Sequence, residues 1–159
     1  MTTSTTMTSG DQRPLVIVDT NVLLAATDAS RGSHVAATEF LRLDPRSVAL
    51  TPQIVREYLV VATRPPEVNG LGLSPARAAA NVEEFLGIAT LLREGMASTS
   101  RLLTFMADGL SSGKQVHDAN VVACALAHGV AAIVTDNVRH FARFAPLIDI
   151  EALAEASRP

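Results

Sequence analysis

The chain has no tryptophan, one tyrosine and one cysteine among its 159 residues. Aromatic residues make up 4% and hydrophobic residues 48%, so a core must be built from Ala, Val and Leu rather than from large rings. A lone thiol, Cys124, excludes an internal disulfide and argues against a cysteine-built zinc site. It reads as a small core residue. No apolar run approaches the roughly 20 residues of a membrane span. The Thr/Ser-rich stretch 1–13 lacks the apolar segment of a secretory signal and reads as a disordered leader. Residues 14–159 then form one domain, with the cytoplasm as the default location. The net charge of -3 is too mild for a strongly basic nucleic-acid glove, although local patches can oppose net charge.

What is present is more telling. The run Leu15-Val16-Ile17-Val18 reads as a short buried strand, and Asp19-Thr20-Asn21 stands at its carboxyl end. Far downstream, Ala131-Ala132-Ile133-Val134-Thr135 repeats the arrangement, with Asp136-Asn137 following. In open α/β sheets ligands bind beyond the carboxyl ends of strands, so both acids stand where chemistry is expected. Between them, further strands are expected at 47–50 and 88–92. Helices are expected over 33–43, from Thr51-Pro52 to about 63, from Ser74-Pro75 to about 87, over 100–109, and over 116–128 ahead of Gly129. A helical turn holding His140 and Phe141 and an edge strand at 147–150 close the chain. Alternating strands and helices indicate an α/β fold around a parallel sheet.

Four acidic positions are candidates, and each has a plainer reading. Asp19 could simply cap the next helix. The neutral Asn21 would hydrogen-bond a water or a neighbouring carboxylate. Glu57 should share a helix face with Val60 and Val61, where an acid needs a partner, a proton or a cation. The plainer reading pairs it with Arg56 or Arg64. Asp118 falls in the first turn of an apolar helix, where the dipole favours it, yet on the face of Val122 and Ala125. Asp136 and Asn137 also suit a turn. Gathered at one sheet edge, the carboxylates would repel: two unit charges ~4 Å apart cost about 4 kcal/mol at an effective dielectric near 20. A divalent cation relieves that repulsion, and hard oxygen ligands select Mg²⁺ or Mn²⁺. Such ions activate water and clamp phosphate oxygens in phosphodiester cleavage. Lys114, Arg56, Arg64 and Arg139 could rim the site for an RNA backbone, and His140 could touch a phosphate. His117, His34 and His128 read as helix-start or surface residues.

These residues resemble the PIN-domain family, specifically the ribonuclease toxins of VapBC-type toxin–antitoxin pairs. The resemblance runs from Leu15 to Ile150 and rests on four motifs in order: Val-Ile-Val-Asp19-Thr20-Asn21, the segment Thr-Pro-Gln-Ile-Val-Arg-Glu57-Tyr, the segment Val116-His117-Asp118-Ala119-Asn120, and Thr135-Asp136-Asn137-Val138-Arg139-His140-Phe141. It implies a three-layer fold with a central parallel sheet of four to five strands flanked by helices. It also implies a Mg²⁺-dependent endoribonuclease, with Mn²⁺ as a substitute ion, a cognate antitoxin as partner, and a homodimer. Asp19 and Asp118 would hold the cation, Glu57 would hold it or its water, and Asp136 would complete the catalytic acids. Asn21, Thr135 and Asn137 would orient them, and Lys114, Arg139 and His140 would meet RNA. The family's fourth motif places its acid or amide two residues after Thr, which puts Asn137 in register and Asp136 in the free position, so either could face the site. Two rivals stand beside this reading. A phosphatase with an aspartyl nucleophile loosely fits Asp-Thr-Asn but fails on Asn21, which cannot act as general acid. A catalytically silent PIN-like binding module would work only by pairing with a regulator.

Overall fold

The first strand, β1 (Leu15–Val18), becomes the middle of a five-stranded sheet. It pairs in parallel with β2 (Ser47–Leu50) on one side and β4 (Ala132–Thr135) on the other. The strand β3 (Thr90–Leu91) extends the sheet beyond β2, and β5 (Asp149–Ala152) extends it beyond β4. The order is therefore β3-β2-β1-β4-β5, with every pair parallel. The computed structural model describes residues 13–156. Of the leader expected at 1–13, all but Arg13 lies outside the described residues.

The central strands lie between layers, so they read as unbroken apolar runs instead of alternating ones. Val16, Ile17, Val18, Ala49, Ile133 and Val134 are wholly buried. Helices α1 (Thr20–Thr27), α2 (His34–Leu43), α3 (Pro52–Thr63), α4 (Pro75–Leu86), α5 (Met96–Ala107), α6 (Gln115–Ala127) and the short α7 (Leu153–Ala156) flank the sheet, giving the expected three-layer α/β architecture. Four rings, those of Phe40, Tyr58, Phe141 and Phe144, are fully buried, and Cys124 is a buried core residue. Among the described residues no helix is long and apolar enough to cross a membrane.

Local chemistry explains most boundaries. The Thr51 hydroxyl accepts the Ile54 N–H at 3.2 Å, and the Ser74 hydroxyl accepts the Arg77 N–H at 3.2 Å, each just ahead of a proline in the first helical turn. Gly129 follows α6 at φ 65°, the left-handed turn that a residue without a Cβ adopts freely. Strand β3 covers Thr90–Leu91 of the 88–92 expected, the Ile88 N–H being held by the Phe85 carbonyl, and two element starts move. Helix α5 begins at Met96 rather than 100, because the Ser98 hydroxyl accepts the Gly95 N–H and donates to the Gly95 carbonyl, both at 2.9 Å, closing an extra turn. Strand β5 begins at Asp149 rather than 147, because the N–H groups of Leu147 and Ile148 are held by the Phe144 carbonyl.

The chain leaves β1 toward β2 and later enters β4 on β1's other side. That reversal opens a crevice at the carboxyl ends of β1 and β4. Asp19 and Thr135 stand at its two lips.

Candidate active site

Asp19 is fixed from three directions. Its N–H donates to the Val134 carbonyl at 2.9 Å, which carries the β1–β4 ladder one residue past β1. Its Oδ1 accepts the Thr20 N–H at 2.8 Å and caps α1. Its Oδ2 accepts from Asn21 Nδ2 at 3.0 Å and from the Thr135 hydroxyl at 2.8 Å. The capping role and a site role thus fall on different oxygens. Asn21 bonds the neighbouring carboxylate, as a neutral amide should, and its Oδ1 accepts the Asp136 N–H at 3.0 Å.

Glu57 reaches the same place from α3, which packs against α1. Its Oε2 accepts the Thr20 hydroxyl at 2.9 Å and its Oε1 accepts Gln53 Nε2 at 2.8 Å. The apolar face expected around it is only half there: Val61 packs partly buried against the core, but Val60 is 55% exposed. The expected arginine pairing gives way too. Arg56 lies 3.9 Å from Glu94. Arg64 ends α3 nearly two turns past Glu57, where its carbonyl accepts the Gly72 N–H at 2.8 Å, and it borders neither cleft described below. Asp118 stands in the first turn of α6, above the wholly buried Val122 and Ala125, with Arg143 Nη2 3.9 Å away.

The acids feel one another. Burial pushes the Asp19 carboxyl above its ordinary range, hydrogen bonds from Thr135 and Thr20 pull it back, and the charges of Asp118 and Glu57 push it up again. Asp118 is likewise raised, first by burial; His140 and Arg143 oppose the rise, Glu57 adds to it, and His117 opposes it. Among the described residues, no three His, Cys, Asp or Glu side chains close into a ready cage for a metal ion. The donor set fits an ion that keeps several of its own waters and takes one or two carboxylates, which is how Mg²⁺ usually binds.

An acid raised above its unfolded value holds its proton longer in the folded state. Stability therefore falls as pH rises through that window and stays lower at neutral pH. Asp118→Asn removes the ionisation, so at pH 7 without metal the variant should melt above wild type, and at pH 3 the gain should vanish. Thermal denaturation at the two pH values checks this.

Of the two residues after Thr135, Asn137 is the less exposed. Its N–H donates to the Thr135 hydroxyl at 3.0 Å and its Nδ2 lies 3.0 Å from His140 Nε2. The Asp136 side chain is exposed. Lys114, Arg139 and His140 do come together, with Gln115, Asp118 and Arg143, around a cleft of about 440 Å³. On the other side of the α6 start, a cleft of about 540 Å³ is bordered by Gln53, Arg56, Glu57 and His117, among others. His34 and His128 sit apart from both, each 2.7 Å from a backbone carbonyl, of Ala25 and Arg93.

Four residues escape the sequence reading. Thr20 is hidden within a capping motif. Gln53 is one turn before Glu57, so helical spacing could have found it. Asn120 stands inside the third motif with no role assigned to it, and Arg143 carries no local signal. Arg143 lies over the Phe144 ring at 4.6 Å and donates to the carbonyls of His140 at 2.6 Å and Gln115 at 3.0 Å, bracing the α6 start against the turn after β4.

A family model described as the PIN domain matches residues 16–146. No curated protein matches the chain significantly. Among solved structures, VapBC2 from Rickettsia felis bound to a promoter DNA fragment aligns with a TM-score of 0.63 at 17% identity, over 87% of this chain and 98% of that one. VapBC-1 from nontypeable Haemophilus influenzae aligns at 0.62 and 16%, over 88% and 98%. VapC20 from Mycobacterium tuberculosis, described as a toxin that cleaves the sarcin–ricin loop, aligns at 0.64 and 14%, over 80% and 93%. At such identities the likeness is one of fold.

Proposed function

Because the chain belongs to the PIN-domain family, we propose that it is a Mg²⁺-dependent endoribonuclease, with Mn²⁺ able to replace Mg²⁺, and the toxin of a toxin–antitoxin pair. The observation that carries this reading is that Asp19 and Glu57 both bond Thr20 at the switch point of the sheet, with Asp118 close enough for the three charges to repel. Repelling carboxylates in a crevice are poor structural elements and good cation ligands. Asp19 and Asp118 would hold the ion, with Glu57 holding it or one of its waters. When bound, the ion lowers the pKa of a water and offsets charge on a phosphate.

The chain's own residues do the rest. Thr135, Asn21 and Thr20 aim Asp19 through three hydrogen bonds. Asn137 steadies His140, whose ring eases the Asp118 charge. Lys114, Arg139 and His140 would draw the RNA backbone along the smaller cleft, beside Asp118. Asp136, exposed at the rim, is the outermost of the proposed catalytic acids. RNA as substrate class is in keeping with the sarcin–ricin loop that one structural neighbour is described as cleaving. The VapBC complexes among the neighbours support a cognate antitoxin as partner. A homodimer in the cytoplasm completes the proposal.

The test is a cleavage assay on total cellular RNA, run with Mg²⁺, with Mn²⁺ and with EDTA. Cleavage is expected with either ion and none with EDTA. Equal cleavage in EDTA would overturn the metal requirement. No cleavage, together with no Mg²⁺-induced rise in melting temperature, would leave a silent binding module as the better reading.

A further inference from the structure

We infer that Gln53 is a positioning residue that sets the Glu57 carboxylate against the start of α6, and that Asn120 locks its amide in place; the inference rests on the nuclease reading above. Gln53 and Glu57 lie four residues apart on α3, on one face of the helix. Gln53 is 6% exposed, so its amide has to be satisfied by protein. Its Nε2 donates twice, to Glu57 Oε1 at 2.8 Å and to the His117 carbonyl at 2.9 Å. Its Oε1 accepts from Asn120 Nδ2 at 2.8 Å.

That set of partners permits one orientation only. Turned over, the amide would put its oxygen against a carboxylate and a carbonyl, and its NH₂ against the NH₂ of Asn120. Asn120 is itself steadied by Glu94 Oε1 at 3.4 Å, an oxygen that also receives the Gln53 N–H at 3.3 Å. One buried side chain thus ties Glu57 to residue 117, next to Asp118. Thr20 holds the other Glu57 oxygen at 2.9 Å and connects it to Asp19 through the capped helix start. Both oxygens of Glu57 are anchored from the protein side, which leaves their remaining lone pairs for an ion or its water. The spacing between Glu57 and Asp118 is therefore set by an amide. Loss of the amide should weaken ion binding more than it slows the reaction at saturating ion.

The test uses the full chain. Gln53→Met keeps length and bulk and removes both donors. Calorimetry with Mg²⁺ and with Mn²⁺ should show affinity reduced by roughly 10-fold or more. In RNA cleavage the Mg²⁺ concentration for half-maximal rate should rise by a similar factor, and added Mg²⁺ should recover most of the rate. Asn120→Ala should move the same way by a smaller factor, and it serves alone if Gln53→Met fails to fold. Paired with Glu57→Gln, Gln53→Met should add almost nothing, because it acts through Glu57. Fully multiplying effects in that pair would overturn the proposal. So would folded Gln53→Met and Asn120→Ala variants with unchanged ion affinity while wild type binds Mg²⁺ and cleaves RNA. A wild type that neither binds Mg²⁺ nor cleaves RNA would overturn the nuclease reading itself, and this inference with it.

Discussion

Asp19→Asn should lose RNA cleavage by roughly a thousandfold or more while the chain stays folded. Asparagine is as good a helix cap as aspartate, so its amide oxygen can keep the Thr20 N–H at the start of α1. The β1–β4 ladder bond through the residue 19 N–H is untouched. What disappears is the charge. The other atom becomes an NH₂ facing Asn21 Nδ2 and the Thr135 hydroxyl, both donors to the aspartate. The proposed ion, which would stabilise the transition state by several kcal/mol, would lose a principal ligand, and each 1.36 kcal/mol is about tenfold in rate. Circular dichroism should be unchanged and excess Mn²⁺ should not rescue the rate. Cleavage at the wild-type rate by a folded Asp19→Asn chain would remove Asp19 from the site.

The second large effect is expected at Thr135, a buried hydroxyl that would touch no substrate. It is wholly buried, donates to Asp19 Oδ2 and accepts the Asn137 N–H. Thr135→Val keeps the shape, strands the Asn137 N–H and leaves Asp19 Oδ2 with Asn21 Nδ2 as its remaining donor. Stability should fall by about 1–3 kcal/mol, the usual cost of an unpaired buried group. Activity at neutral pH should fall by about 10- to 100-fold, as when other residues that orient a metal ligand are changed. The pH dependence identifies the cause. The Thr135 hydrogen bond is the leading influence holding the Asp19 carboxyl down against burial. Without it the carboxyl rises further and keeps its proton to higher pH. Protons then compete with the cation over a wider range, so the acid limb of the pH–rate profile should move to higher pH. Urea melts and a pH series on the variant test both halves. An acid limb that stays in place would show that Thr135 does not tune Asp19.

The acid-tipped strands were legible because a buried parallel strand is a short apolar run, and its end is marked by the first polar residue. Thr51-Pro52 and Ser74-Pro75 opened helices because capping is chemistry between near neighbours. The start of α5 was not legible: a serine back-bonding to Gly95 is a weak signal beside the serine and threonine residues around it. The face of Glu57 was misread for a different reason. Val60 and Val61 look like a core stripe, yet only Val61 packs against the core while Val60 faces outward, a difference set by how α3 seats on its neighbours. Thr20, Gln53 and Asn120 act across 37, 64 and 67 residues of chain, distances over which no local pattern reports. The choice between Asp136 and Asn137 depended on a one-residue register. Both backbones are tied down there, with the Thr135 hydroxyl taking the Asn137 N–H and Asn21 taking the Asp136 N–H, and Asp136 is the more exposed of the two.

The central claim is that carboxylates from β1 and α6, a hundred residues apart in the chain, bind one divalent ion together. Anomalous diffraction from crystals soaked in Mn²⁺ tests it most directly. The expected result is a peak about 2.1 Å from an oxygen of both Asp19 and Asp118, with Glu57 in contact directly or through one water. Saturated crystals of active protein with no peak between those two residues, or with the ion seated elsewhere, would contradict it.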